Sequence, residues 1–262
     1  MKLSNFRGIT VWLLLSTSLL SVSCVNTRTA TYFNDVNDAT LTSNTPIPES
    51  VIQKNDLLSI SVSSLSSEAS AIFNTPNTSG VMTAGVNPTM ASGYLVSTEG
   101  TVQFPILGNV KAAGLTKEQF KESLVKSILD KKLLKDPIVS IRFLNFRVTV
   151  LGEVKNPQVV TVPNEKISLL EAIGLAGDLT IYAKRDNILV IREENGNKVI
   201  KRLNLNSNEL LSSPYYYLKS NDVVYVEPNK ARVASAGRSQ QWIPIVVSVL
   251  TLAVIVVDRA SK

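Results

Sequence analysis

Side chains able to perform catalysis are scarce in this chain of 262 residues. It contains no histidine, and Cys24 is its single cysteine. Serine or cysteine nucleophiles that a histidine activates are therefore excluded, as are histidine-ligated zinc and iron sites. One cysteine also rules out an intrachain disulfide and a cysteine metal cluster. We predict no catalytic residue, no metal site and no cofactor.

Two groups of carboxylates remain as candidates for the acid and base of glycoside hydrolysis: Glu193 with Glu194, and Asp178 with Asp186. Charged residues beside a turn glycine, however, more often form the solvated tip of a hairpin. The three tyrosines at 215–217 could stack on sugar rings, but aromatic residues that flank a strand are more often packed inside. We therefore expect that the protein is not an enzyme.

The composition predicts a folded protein without a nucleic-acid partner. Hydrophobic residues make up 44% of the chain, which is enough to build the core of one or two domains. The 27 basic and 21 acidic residues give a net charge of +6, yet the basic residues are scattered along the chain. A basic patch for nucleic acid is excluded on this ground.

The N-terminal sequence has the pattern of a lipoprotein signal. Two basic residues precede an apolar run at 9–20, and the string Leu20-Ser21-Val22-Ser23-Cys24 follows. This order predicts a signal peptide at 1–23 and a lipidated Cys24 as the mature N-terminus; a buried N-terminal helix is the alternative. Val25 stands where an aspartate would favour retention in the inner membrane, so outer-membrane sorting is expected.

Polar composition marks three connecting segments. Residues 24–50 are rich in Thr, Asn, Ser and Asp with little apolar periodicity, which predicts a flexible tether. Residues 66–92 contain few large apolar residues and are predicted to form a long loop. Residues 229–241 are interpreted as a linker to the last segment of the chain.

An uncharged stretch of sixteen residues occupies positions 242–257. As a helix it would extend about 24 Å, close to the apolar thickness of a thin bilayer. Trp242 at one boundary and Arg259 beyond the other are typical of membrane interfaces. The sequence therefore predicts a C-terminal transmembrane helix at 242–257, with a buried core helix as the alternative.

Two helices are predicted in the body of the chain. Thr116 and Gln119 form a capping-box pattern ahead of an apolar stripe, and Ser168 and Glu171 form a second one. Gly177 is placed to end the second helix in a left-handed conformation. The side chains predicted to point inward are Phe120, Leu124 and Ile128 in the first helix, and Leu170, Ile173, Leu175 and Ala176 in the second.

Short alternating segments predict the strands of an α+β fold. The folded part opens at 51–62, where a turn at 55–56 leads into a strand at 57–62. Further strands lie at 94–104 (as a hairpin), 138–143, 148–154, 188–191 with 199–203 (as a second hairpin) and 223–226. The helices and strands are expected to divide near residue 146 into two small domains, 51–145 and 146–228.

Several strings in order resemble the outer-membrane polysaccharide export family, the lipoproteins of capsule and exopolysaccharide translocons. Three residues depart from its pattern: Asn55, Gln158 and Asp178 stand where glycine is common. The strings that carry the resemblance are Gln53–Ile60, Ser97–Gly108, Ala113–Thr116, Lys135–Ser140, Val150–Pro157 and Leu169–Leu179.

The resemblance implies a polysaccharide export domain at 51–145, followed by one soluble-ligand-binding β-grasp module at 146–228. It further implies a lipid-anchored outer-membrane protein with its bulk in the periplasm. Its copies would form a homo-oligomeric ring around a channel for capsular or extracellular polysaccharide. An inner-membrane polysaccharide co-polymerase or chain-length tyrosine kinase is the expected partner. The alternative is a structural or signalling envelope lipoprotein of the same modules that conducts nothing.

The resemblance also bears on the C-terminal helix, which in relatives joins its copies into a helical barrel. At 100° per residue, Ser248 and Thr251 fall on one narrow semi-polar stripe of an otherwise apolar helix. Three interpretations stay open: the stripe lines a pore, it mediates helix contacts, or its hydroxyls only bond to their own backbone.

Overall fold

The computed structural model describes residues 31–34, 49–75, 92–194, 196–235 and 239–260. It confirms the α+β class. The helices are α1 (Ser67–Ala71), α2 (Lys117–Asp130), α3 (Leu169–Leu175), α4 (Lys230–Ser235) and α5 (Ser239–Ala260), with 3₁₀ turns at Ile72–Asn74 and Asn208–Ser212. The strands are β1 (Leu57–Ser63), β2 (Tyr94–Leu95), β3 (Thr101–Phe104), β4 (Gly108–Lys111), β5 (Ile138–Phe143), β6 (Arg147–Gly152), β7 (Gln158–Thr161), β8 (Ala183–Glu194), β9 (Asn197–Leu203) and β10 (Val223–Pro228).

The first half of the fold is an antiparallel sheet with the strand order β2-β1-β5, beside a β3-β4 hairpin. Alternation in β5 places Val139, Ile141 and Phe143 in the core and their neighbours outside, as predicted. Helix α2 packs on this sheet and begins with the predicted capping box of Thr116 and Gln119. Its inward residues, spaced by four positions, are fully buried: Phe120, Leu124 and Ile128.

The predicted loop at 66–92 and hairpin at 94–104 are both wrong in part. Residues 67–74 form α1 and a 3₁₀ turn that buries Phe73. The Tyr94 hydroxyl donates to the Phe73 carbonyl at 2.6 Å, and the ring of Phe104 stacks on that of Phe73. The three aromatic rings are buried together in the core. Strand β3 pairs with β4 instead of forming the predicted hairpin, and a single bridge joins Val96 to Val102.

The second half is a five-stranded sheet with the order β7-β6-β10-β8-β9. Strand β10 lies parallel to β6 and antiparallel to β8, and β8 and β9 form the second predicted hairpin. Helix α3 begins with the predicted capping box and buries Leu169, Ala172 and Ile173. The inward position predicted for Leu175 is wrong, because the buried face follows the i, i+3, i+4 spacing from Leu169 and leaves Leu175 exposed.

The end of α3 follows the prediction at Gly177. Its φ is +80°, in the left-handed region, and the amide of the next residue donates to the Ile173 carbonyl at 3.0 Å. A Cβ at this position would lie 2.7 Å from the Asn156 side-chain nitrogen. Asp178, which stands where the resembling family has glycine, also has a positive φ.

Glu165 links the two halves of the fold. One carboxylate oxygen accepts the Phe143 amide at 2.8 Å, and the other pairs with Lys117 of α2. The buried side chains of both halves form one continuous hydrophobic cluster, which passes through Phe146. The domain boundary predicted near residue 146 falls between β5 and β6, and the division into two domains stays a prediction.

Residues 31–34 lie against the second half, although the sequence predicted them as part of a flexible tether. The Phe33 amide donates to the Leu205 carbonyl at 3.1 Å, and Tyr32 and Phe33 are partly buried against the core. The prediction of a tether is therefore wrong for these four residues. Two adjacent aromatic residues in a polar segment are the sequence signal that could have revealed the contact.

The C-terminal stretch forms α5, which includes the predicted segment 242–257. Among the residues that the structure describes, no helix combines the length and the apolarity required to cross a membrane. The predicted transmembrane span at 242–257 is therefore not supported. Its uncharged stretch of sixteen residues is shorter than the roughly 20 that a typical bilayer requires.

Gly152 ends β6 at a point where β10 approaches closely. Its φ is +93°, and a Cβ there would lie 2.1 Å from the Val226 carbonyl oxygen. Gly196 has a similar φ of +78°, but a Cβ there would meet nothing within 4 Å. The two positions therefore separate the cost of a left-handed residue from the cost of a backbone clash.

We expect Gly196→Ala to lower the free energy of unfolding by about 1 kcal/mol, because only backbone strain opposes it. Gly152→Ala is expected to lower it by about 3 kcal/mol or more, because β6 and β10 must also separate. Thermal and urea unfolding of the two variants measures both values. Equal losses would show that the close approach of β10 to Gly152 is not required for stability.

Candidate functional site

The residues predicted to serve the function lie at the two ends of the chain. Cys24, the predicted lipidation site, lies outside the described residues. Ser248 and Thr251 are exposed on α5, where the Ser248 hydroxyl donates to the Pro244 carbonyl at 2.7 Å. The Thr251 hydroxyl is within hydrogen-bonding distance of the Val247 carbonyl at 2.8 Å and the Ser248 carbonyl at 3.0 Å. Backbone bonding satisfies both donors in a single chain, and the pore-lining role stays a prediction.

Helix α5 exposes large apolar side chains along its length. Those described are between 52% and 67% exposed: Trp242, Ile245, Val246, Val247, Val249, Leu250, Leu252, Ile255 and Val256. A contiguous exposed apolar surface of this kind marks a region of interaction. The helix is thus a candidate contact surface rather than a part of the core.

A buried ion pair holds the centre of the five-stranded sheet. The guanidinium of Arg192 donates from Nε and Nη2 to the carboxylate of Asp222, at distances of 2.7 to 3.1 Å. Both side chains are almost fully buried, at 3% and 1% exposure. Nη2 also donates to the Tyr217 carbonyl at 3.1 Å. This arrangement leaves little of either charge unpaired, as a buried ion pair requires.

The tyrosines at 215–217 pack around that ion pair. The Arg192 guanidinium lies 4.6 Å from the centre of the Tyr215 ring, and the rings of Tyr216 and Tyr217 meet edge to face. Lys166 lies 5.0 Å from the centre of the Tyr217 ring. The geometry favours the packing interpretation of these tyrosines over sugar stacking.

The carboxylates considered for glycoside hydrolysis are tied to other groups or turned to solvent. The Tyr32 hydroxyl donates to Asp178, and Lys219 pairs with Glu194 at 3.5 Å. Asp186 and Glu193 are exposed on β8. Within the described ranges, no group of carboxylate or thiol side chains is arranged to hold a metal ion.

Asp56 and Asp222 occupy equivalent turns ahead of β1 and β10. Each follows an asparagine with positive φ, and each carboxylate accepts the amide three residues earlier, Gln53 at 2.7 Å or Lys219 at 2.8 Å. Each aspartate is buried. The two turns thus share one hydrogen-bonding pattern. Asparagine tolerates the left-handed conformation for which glycine is otherwise used.

The two aspartates differ in their electrostatic surroundings. Asp222 has the Arg192 guanidinium, whereas no ion pair is found for Asp56 among the described side chains. Burial therefore raises the pKa of Asp56 to about 6, although the Gln53 amide opposes the rise. The charge of Asp56 is therefore held in the fold at a cost in free energy near neutral pH.

A depression open to solvent lies beside α3, with a volume of about 460 Å³. Apolar side chains form part of its wall, and Lys166 and Glu171 supply charges of opposite sign. Glu171 is already engaged, since it accepts the Ser168 amide at 2.7 Å in the capping box. The depression therefore offers apolar contacts and the Lys166 side chain to a small molecule.

Fold and surface together define a class of protein. The described residues form an α+β assembly of a three-stranded sheet, a five-stranded sheet and a two-stranded hairpin, with a buried ion pair and an exposed apolar helix. An exposed apolar helix of this kind is typical of proteins that make contacts with other molecules.

Comparison with known families identifies the two halves. Residues 44–144 match the polysaccharide biosynthesis/export protein family, and residues 146–226 match the SLBB domain. The chain therefore belongs to the polysaccharide export family, as its sequence motifs indicated. We refer to residues 146–226 as the SLBB module.

Two curated relatives are outer-membrane export proteins by name. The chain is 30% identical over 141 residues to the EPS I polysaccharide export outer membrane protein EpsA of Ralstonia solanacearum. It is 38% identical over 91 residues to the protein of the same name from Ralstonia nicotianae. These matches cover 53% and 34% of this chain, but only 37% and 23% of the relatives, so the chain matches little more than a third of their length at most.

The raised pKa of Asp56 makes the stability of the fold depend on pH. A folded-state pKa above the unfolded value of 3.8 means that this group's contribution is complete below pH 4 and is lost as the pH rises through 6. We expect Asp56→Asn to gain up to about 3 kcal/mol in free energy of unfolding relative to wild type between pH 4 and pH 7.

Denaturant unfolding of both proteins at several pH values measures this difference. Asp130→Asn, at an exposed carboxylate at the end of α2, is the matched control and should differ from wild type by a constant amount. A constant difference for Asp56→Asn as well would contradict the assignment.

Proposed function

We propose that this protein is an outer-membrane lipoprotein whose copies form a ring around a channel for capsular or extracellular polysaccharide. The observation that carries the proposal is the tandem of a polysaccharide export region and an SLBB domain in one chain. The names of the two relatives support the outer membrane as the location and a polysaccharide as the cargo.

The apolar helix α5 supports assembly into an oligomer. Its exposed side chains include Leu250 and Leu252, at 61% and 67%, and burying each one stabilises an assembly by roughly 1.5–3 kcal/mol. A second copy of α5 offers a matching apolar surface, and ring symmetry lets every copy use the same contact. We propose that neighbouring copies pack through this helix.

The proposed role is transport without chemistry on the sugar. A conducting surface has to let a long polymer slide, so weak and repeated contacts serve better than a tight site. Lipidation of Cys24 would hold each copy at the membrane, because acyl chains gain about 0.8 kcal/mol per buried methylene group. The polysaccharide would be delivered by an inner-membrane co-polymerase or chain-length tyrosine kinase at the periplasmic end of the ring.

Imaging the purified full-length protein in detergent tests the assembly, and a deletion strain tests transport. We expect closed rings with a central cavity, and cells that lack the protein are expected to retain polysaccharide inside the envelope until wild type is restored. A monomer at high concentration would overturn the ring. Undiminished polysaccharide outside the deletion strain would favour a structural or signalling lipoprotein instead.

We further propose that Ser248 and Thr251 face the lumen of the ring, while Leu250 faces outward. Ser248→Cys and Leu250→Cys test this in the detergent-solubilised oligomer, where acylation of Cys24 leaves no other thiol. A charged, hydrophilic thiol reagent should label position 248 at least about tenfold faster than position 250, because thiolates in water react and buried thiols do not. Equal rates at the two positions would contradict a lumenal stripe.

A further inference from the structure

Four residues ahead of the export region form a defined contact with the SLBB module. We call residues 31–34 the N-terminal clip. The Phe33 amide donates to the Leu205 carbonyl at 3.1 Å, and Phe33 has a φ of +51°, which turns the chain at this point. The Tyr32 hydroxyl donates to the Asp178 carboxylate, 146 positions further along the chain.

The surface that receives the clip combines the buried Arg185 with the exposed Asp178. Arg185 is 6% exposed and lies 5.7 Å from the centre of the Tyr32 ring, in a cation–π arrangement. Asp178 is itself held in place, since one oxygen accepts the Leu179 amide at 2.7 Å. Burial raises the pKa of the Tyr32 hydroxyl, and its hydrogen bond to Asp178 adds to the rise, so the hydroxyl stays a donor.

We propose that the N-terminal clip fixes the SLBB module, rather than the export region, beside the membrane to which Cys24 is anchored. The distance follows from chain length. Thr31 follows Cys24 by seven positions, and a chain of that length reaches at most about 25 Å. Without the clip, the 25 positions from Cys24 to Glu49 could reach about 90 Å.

The clip therefore shortens the anchor of every copy to a fraction of its contour length. It also fixes which surface of the SLBB module, the one formed by Asp178, Arg185 and Leu205, lies toward the membrane. This distance limit depends on the lipidation of Cys24 that we proposed above, whereas the contact itself does not. The clip occupies the surface of its own chain, because Tyr32 and Phe33 reach their partners within one copy.

Hydrogen–deuterium exchange of the full-length protein in detergent tests the contact. We expect the Phe33 amide to exchange at least about tenfold more slowly in wild type than in a Tyr32→Ala/Phe33→Ser variant, since its bond to Leu205 protects it. Tyr32→Phe, which removes only the hydroxyl, should fall between the two. The matched control is Tyr182→Phe on the same module, where the ring faces Arg232 at 5.5 Å; it should leave the clip protected.

A photoreactive phenylalanine analogue at position 33 distinguishes one chain from two. Crosslinking within a chain, recovered on a peptide containing Leu205, is expected. A dimer band as the main product would overturn the assignment to a single copy. Fast exchange of the Phe33 amide in wild type would overturn the clip altogether.

Energy transfer in lipid vesicles tests the distance to the membrane. The donor is placed at Asn208→Cys, an exposed position three residues beyond Leu205, and the acceptor on lipid head groups. Transfer should fall at least about twofold in the Tyr32→Ala/Phe33→Ser variant. Unchanged transfer in a variant that has lost Phe33 protection would overturn the anchoring role.

Cys24→Ser separates this proposal from the proposed function. Intact mass of the wild-type protein reports whether Cys24 carries acyl chains. If wild type carries none, the lipoprotein assignment and the distance limit both fail. Slow Phe33 exchange in Cys24→Ser would still support the contact itself, and fast exchange there would overturn it as a property of the fold.

Discussion

The turn that ends at Asp222 is the constraint on which the second half of the fold depends. Its carboxylate binds Arg192 of β8 and the Lys219 amide, and its carbonyl accepts the Thr149 amide of β6. These contacts set where β10 enters the sheet, between a parallel and an antiparallel neighbour. Because side chains alternate along a strand, an entry shifted by one residue would turn Val224 and Val226 out of the core.

The same turn appears ahead of β1, with Asp56 in place of Asp222 but without the arginine. One hydrogen-bonding pattern therefore serves both halves at different electrostatic cost. In the second half, the buried charge of Asp222 is compensated by the equally buried guanidinium of Arg192. In the first half the Gln53 amide carries the compensation, and burial raises the pKa of Asp56.

The charged side chains described above mostly serve the fold itself. The ion pairs of Arg192 and Glu165 are used inside the fold, where they hold strands and join the halves. Among the described residues, the apolar helix α5 and the open depression beside α3 remain exposed to other molecules. The channel that we propose needs such a division, since strong polar binding along its path would hold a moving polymer.

The features that the sequence predicted correctly depend on local interactions. They are the α+β class, both capping boxes, the helix end at Gly177, the alternation of β5 and the family motifs. Each of these depends on neighbours within a few positions, so short-range spacing carries the information. Tertiary structure alone decided the burial of Phe73, the pairing of β3 with β4, the outward position of Leu175 and the requirement for glycine at 152. It also decided the docking of Tyr32 on Asp178, because contacts between residues far apart in the chain depend on how the sheets close around one core.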